Sequence, residues 1–129
     1  MNYFFAALPA AYIFGIFFYA DSQVVSQIAV FNPFSLLHIP LYGILTLLLV
    51  LALSPPSATN SQLRYTLAAL MAMGVAILDE FYQSFIPSRE GSTTDVLLDA
   101  LGVSLALFLS LRGPFPRWAG RLQKLKKCG

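Results

Sequence analysis

The acidic residues of this sequence are concentrated in one stretch, ILDEFYQSFIPSREGSTTD, which runs from residue 77 to residue 95. Four of the six carboxylates of the chain lie in this stretch, and a fifth, Asp99, follows one helical turn later. Carboxylates gathered in this way can serve acid/base chemistry, bind a ligand or close a loop. The spacing of the residues shows which of them can work together.

Asp79, Glu80 and Gln83 occur at positions i, i+1 and i+4, so they share one side of a predicted helix. Phe81 and Phe85 fall on another side of that helix. Because apolar residues continue past the acids, we expect the acids to lie near one edge of an apolar layer. A carboxylate there needs a partner or water.

The next predicted helix carries a stripe of Asp95, Asp99, Gly102 and Ala106 at spacings of four, three and four. Small residues allow a neighbouring helix to approach closely, so the stripe should face the interior. Asp95 also has a purely structural explanation, since Ser92-Thr-Thr-Asp95 fits a helix capping box. Asp99 lies one helical turn further along, so a capping box cannot account for it.

An earlier helix adds His38 and Tyr42, one turn apart, with Pro40 between them able to free a backbone carbonyl. A lone histidine on an apolar helix is ordinarily structural, but His38 is predicted at the same depth as the acids.

Arg89, in the loop, could hold an anionic ligand or pair with an acid of the hairpin.

We therefore assign two groups of candidate site residues. The candidate catalytic residues are His38, Glu80, Gln83 and Asp99, and the candidate substrate-binding residues are Tyr42, Asp79, Arg89 and Asp95.

The composition indicates a membrane protein. Hydrophobic residues make up 57% of the chain, charged residues 11%, and the mean hydropathy is +0.70, far from the average of about 25% charged residues in soluble domains. The 129 residues are enough for about four helices of ~20 residues. We predict an all-α, polytopic four-helix transmembrane bundle as a single domain, with spans at about 3–20, 33–53, 63–86 and 94–111.

Basic residues predict the orientation of the chain. Six of the eight lie in the tail, residues 112–129, which holds no acid and is expected to form a short basic amphipathic helix on the anionic inner leaflet. With both termini in the cytoplasm, Arg64 and the tail lie inside and Arg89 lies outside, as the positive-inside rule requires. The acid-rich loop is then extracytoplasmic.

The sequence contains few indications of a bound cofactor. The single cysteine, Cys128, excludes an intrachain disulfide and a cysteine-based metal cage. A mixed set of histidine and carboxylates can hold a divalent ion, but the chain lacks HExxH or comparable ligand spacing, so no metal centre is predicted and no cofactor is named. Membrane lipids are the expected partners, without nucleic acid.

The candidate residues also resemble a known family, the VanZ-like small membrane proteins of bacteria. The shared motif is His38-x3-Tyr42, then Asp79-Glu80-x2-Gln83-x3-Pro87-x-Arg89-x5-Asp95, then Gly102, within about residues 34–111. The resemblance implies a multi-pass protein of the bacterial cytoplasmic membrane with a role in the cell envelope. The family takes its name from an accessory protein of glycopeptide resistance, associated with lower susceptibility to teicoplanin.

Two positions depart from the family pattern. Where relatives often carry an Asp-Lys pair before the helix histidine, this chain has Phe34 and Ser35, so a cation is missing there. Where relatives usually have asparagine four residues after the loop aspartate, this chain has Asp99. The resemblance therefore implies a site that is more acidic than is typical.

Three classes of function remain open at this point. The favoured one is an extracytoplasmic site that binds or modifies an envelope lipid or glycan precursor, with enzymatic activity undecided. The second is a small transporter or lipid flippase, for which a homodimer could supply the path across the membrane that one chain lacks. The third is a non-catalytic scaffold in which the acids only close the hairpin.

Overall fold

The computed structural model describes residues 3–20, 36–53, 61–87, 91–113 and 121. Within these ranges the chain is all-α, as predicted, and contains four long helices with no strand. They are α1 (Tyr3–Ala20), α2 (His38–Ala52), α3 (Ser61–Gln83) and α4 (Thr93–Arg112). Arg89 and almost all of the predicted tail helix lie outside the described residues.

Helix α2 is the centre of the arrangement. It contacts each of the other three helices and packs most extensively against α4. Its buried side chains include Tyr42, Leu45 and Leu49, and the small residues of α3 pack against the same core. Those small residues are Ala68, Ala72 and Ala76, which are completely buried.

The exterior of the helices is more apolar than part of the interior. Phe14, Phe85 and Leu97 are 70% exposed or more, whereas Asp79 and Asp99 are 2% and 0% exposed. A soluble protein distributes these residue types the other way round, because it buries large apolar side chains and solvates its charges. The distribution fits a hydrocarbon solvent.

Helices α3 and α4 are long and apolar enough to cross a membrane. Only 28% of the apolar window in each is buried, whereas a core helix of a soluble protein would be mostly buried. The apolar segments of the other two helices, Phe5–Tyr19 and His38–Ala52, are shorter. Two of the four helices therefore have the length and composition of membrane spans.

Helix α3 ends at Gln83, although the predicted span continued to Ile86. Beyond Gln83 the amides of Phe85 and Ile86 donate to carbonyls three residues back, at 3.1 and 3.0 Å, which tightens the chain into a turn. Pro87 accounts for the stop, since the residue before a proline disfavours the helical conformation. Phe85 consequently lies in the turn and not in the helix.

Helix α2 begins at His38, after a short 3₁₀ turn at residues 36 and 37. The predicted start near Asn32 and Pro33 lies outside the described residues. Pro40 therefore stands in the first turn of α2, where a missing amide hydrogen removes no hydrogen bond from within the α-helix. Its predicted role in freeing a carbonyl within the span is wrong for this reason.

Helices α2 and α4 approach closely at a glycine contact. A Cβ atom on Gly102 would collide with the backbone carbonyl of Ile39, and one on Gly43 would lie 3.4 Å from the carbonyl oxygen of Gly102. Gly102 and Ala106 are buried, as the stripe of small residues predicted. Because Ile39 follows His38, this contact brings the start of α2 against the first turns of α4.

Candidate functional site

Buried polar side chains meet at one end of the bundle, where α2 and α4 begin and α3 ends. The structure places seven of the eight candidate residues at this end, and we call them the polar cluster: His38, Tyr42, Asp79, Glu80, Gln83, Asp95 and Asp99. Asp95 is half-buried and the other six are buried. The eighth candidate, Arg89, is outside the described residues.

The imidazole of His38 lies between two carboxylates of α4. Its Nδ1 atom forms a hydrogen bond of 2.9 Å with Oδ1 of Asp99, and both side chains are almost completely buried. Its Nε2 atom faces Oδ2 of Asp95 at 3.9 Å, which is too long for a hydrogen bond. One ring nitrogen is thus held by a carboxylate, while the other points to a second carboxylate without bonding it.

Tyr42 connects α2 to α3 one turn further from this end. Its hydroxyl donates a hydrogen bond of 3.1 Å to Oδ2 of Asp79, and its ring stacks on that of His38 with centroids 6.3 Å apart. The hydroxyl of Thr46 donates to the carbonyl of Tyr42 at 2.7 Å. Tyr42 therefore contacts both His38 through its ring and Asp79 through its hydroxyl.

Glu80 joins the end of α3 to the start of α4. Its Oε2 atom accepts a hydrogen bond of 2.8 Å from the backbone amide of Ser92. A capping box would need the Ser92 side chain to bond the helix and an acid to bond the Ser92 amide, but that side chain makes no capping hydrogen bond. The capping-box interpretation of Asp95 is therefore wrong, because Glu80 takes the amide.

Several carboxylate oxygens of the polar cluster are buried without a hydrogen-bond partner among the described residues. They are Oδ1 of Asp79, Oε1 of Glu80 and Oδ2 of Asp99. Buried polar atoms are nearly always paired, so three such oxygens in one cluster mark a place where a hydrogen-bond donor or a cation would bind. Arg64 and Arg112 do not neutralise these acids, because they lie at the opposite ends of α3 and α4.

Two hydrogen-bond donors in this region were not predicted from the sequence pattern. The hydroxyl of Tyr12 in α1 donates to the carbonyl of Leu41 at 3.0 Å, which fixes α1 beside the start of α2. The backbone amide of Ser92 is the other. A tyrosine in an apolar run is a weak indication of such a contact, and a backbone amide gives none.

Replacing Tyr42 with phenylalanine is expected to lower the free energy of unfolding by about 1 to 3 kcal/mol, because the buried Asp79 then loses the one hydrogen-bond donor that the described residues give it. Reversible unfolding in detergent measures the loss. In an Asp79→Ala background the same replacement should cost little, since the acceptor is gone. Equal losses in the two backgrounds would show that the hydroxyl acts elsewhere.

Comparison with known proteins gives one result. The family model described as VanZ/LLP1 matches residues 2–112, which is most of the chain and includes the whole polar cluster. No curated protein and no solved structure matches the chain. On this match, and consistent with two helices able to span a membrane, the chain belongs to the VanZ/LLP1 family.

Proposed function

We propose that this protein binds or modifies an envelope lipid or lipid-linked glycan precursor in its polar cluster, within the bacterial cytoplasmic membrane. The observation that carries the proposal is the set of three buried carboxylate oxygens, at one end of an apolar bundle, that have no partner within the described ranges. Such atoms are costly to bury, and a ligand that donates hydrogen bonds or positive charge would offset that cost.

The proposal includes a topology in which all four helices cross the membrane and both termini are cytoplasmic. The distribution of basic residues supports it, since seven of the eight would lie on the inner side. The polar cluster would then open to the outer leaflet, where lipid head groups and lipid-linked precursors are accessible. Arg89, in the same loop by sequence, would hold an anionic part of the ligand.

The geometry around His38 supports acid/base chemistry in addition to binding. A carboxylate on Nδ1 fixes the orientation of the ring, as a third group does for a catalytic base. The Nε2 atom is then the ring position that faces a ligand, and it would serve as the base when no ion is bound to it. Ligand binding and catalysis would both depend on His38 and its carboxylate neighbours, and catalysis requires that the ligand binds.

All four acids among the described residues lie at the same end of the bundle. A proton or ion path across the membrane would need polar groups along its length. The far end offers Arg64, whose guanidinium donates to the Tyr65 hydroxyl, and no described carboxylate. The arrangement therefore favours a site open at one face over transport.

The test compares lipid retention with stability in variants that keep the local hydrogen bonds. Glu80→Gln can still accept from the Ser92 amide, and Asp95→Asn changes a half-buried group. We expect each to reduce the lipid retained by the purified protein at least about tenfold, or about 1.4 kcal/mol, with an unchanged or higher melting temperature. Native mass spectrometry measures the retention. Thr94→Ala, at an exposed neighbour of Asp95, is the matched control.

The same variants should be examined in cells that lack the protein. We propose that teicoplanin tolerance depends on the polar cluster, so Glu80→Gln should reduce tolerance while Thr94→Ala restores it fully. If lipid retention, tolerance and melting temperature fall together in every variant, the acids serve only to close the hairpin. The scaffold interpretation would then replace the site.

A further inference from the structure

We propose that His38, Glu80 and Asp95 together bind a divalent ion of the first transition series, such as Zn²⁺ or Mn²⁺. Each of the three offers one ligand atom, and these atoms lie within 4.8 Å of one another. The three residues come from three different helices, so their grouping cannot be read from spacing along the chain. The inference rests on the proposed function, because it concerns the same cluster. It adds that a metal ion in this cluster would bind the ligand.

The histidine has the surroundings of a metal ligand. Metal-bound histidines usually donate their other ring N–H to a carboxylate, which fixes the tautomer and directs the free nitrogen at the ion. His38 has this arrangement, with Nδ1 held by Asp99 at 2.9 Å and Nε2 facing Asp95 at 3.9 Å. Two ligand atoms on one ion do not bond to each other, which agrees with the longer distance.

Glu80 supplies an independent observation. Glu80 is 7% exposed, and one of its carboxylate oxygens, Oε1, is buried with no hydrogen-bond partner among the described residues. The other oxygen is held by the amide of Ser92 at 2.8 Å, so the carboxylate is fixed in place. A fixed carboxylate with one free buried oxygen is suited to coordinate a cation.

The charge of the cluster supports the same conclusion. Its four carboxylates are Asp79, Glu80, Asp95 and Asp99, and they would repel an anionic head group. A divalent ion neutralises two of these charges and converts an acidic cluster into one that can take an anion. Three protein ligands also leave coordination positions open for a ligand oxygen. Imidazole with two carboxylates suits Zn²⁺ or Mn²⁺ better than Mg²⁺, which favours oxygen ligands alone.

The experiment uses the full chain purified in detergent with a tag that contains no histidine, after removal of metals with EDTA. Titration calorimetry with Zn²⁺ and elemental analysis after dialysis should both give about one ion per chain. His38→Gln and Asp95→Asn should each abolish this saturable binding. Asp99→Asn should weaken it about 10- to 100-fold, as loss of a partner that orients a metal-bound histidine does. Thr94→Ala, which leaves all these groups in place, should bind as the wild type does.

Absence of stoichiometric Zn²⁺ and Mn²⁺ binding by the wild type would overturn the metal site, as would binding that His38→Gln and Asp95→Asn leave unchanged. Lipid retention is measured on the same samples with and without Zn²⁺. If the wild type binds no Zn²⁺ or Mn²⁺ but retains lipid, the proposed function stands and the metal site fails. Metal binding without any lipid retention would leave the metal site standing while the proposed function fails.

Discussion

Replacing His38 with alanine is expected to lower the free energy of unfolding by about 3 to 5 kcal/mol, the range observed when a buried charge loses its partner. Asp99 is completely buried, its Oδ1 atom is bonded to His38, and its Oδ2 atom has no partner among the described residues. Without the imidazole, neither oxygen would have a partner in the part of the chain that the structure describes. Reversible unfolding of the metal-free protein in mixed micelles measures this change.

The matched control removes the acid together with the histidine. In the double variant His38→Ala with Asp99→Leu, the carboxylate that His38 bonded is removed, and the larger leucine side chain fills part of the space left by the imidazole. This variant should recover a large part of the lost stability, as replacements of buried ion pairs by apolar residues often do. If the His38→Ala loss is the same whether or not Asp99 is present, the pair does not stabilise the fold.

Replacing Gly102 with alanine should have an effect of comparable size, about 3 kcal/mol of lost stability, which is the upper part of the usual range for over-packing. The added Cβ atom would collide with the backbone of Ile39, and a backbone cannot move aside as a side chain can. The two helices must separate, which also lengthens the hydrogen bond between His38 and Asp99. We expect the variant to lose stability and ligand retention together.

Gly74 provides the control for this substitution. It lies in the middle of α3, and a Cβ atom there would meet nothing within 4 Å. Gly74→Ala should therefore be neutral or stabilise the protein by up to about 1 kcal/mol, since alanine favours the helix over glycine. Losses of similar size at both positions would mean that the close approach at Gly102 is not what holds α2 and α4 together.

The sequence predicted the faces of the helices well. Asp79, Glu80 and Gln83 are buried on α3 while Phe81 is exposed, and Asp99 is buried on α4 above Gly102. These predictions succeeded because the period of 3.6 residues fixes which side chains share one side of a helix. The resemblance to VanZ-like proteins, which depended on the same residues, was confirmed by the family match.

The pairing of the side chains could not be predicted in the same way. Spacing along a helix does not fix the rotation of that helix against its neighbours, so the partnership of His38 with Asp99 and not Asp95 had to come from the structure. The Ser92 amide illustrates a second limit, because every residue except proline offers a backbone donor. Helix ends were also imprecise, since the turn after Gln83 depends on Pro87 and on local hydrogen bonds.

The place of His38 in the chain has a consequence for how the protein is made. Chains are synthesised from the N-terminus, so α2 is complete before α3 and α4 exist. In the proposed four-span topology, the imidazole that pairs with Asp99 is already in the membrane when the four acids of the cluster enter it. In the reverse order of helices, the acidic hairpin would have to enter hydrocarbon without that partner, at a cost of several kcal/mol. In that topology, the order of the helices along the chain would ease the insertion of the acidic hairpin.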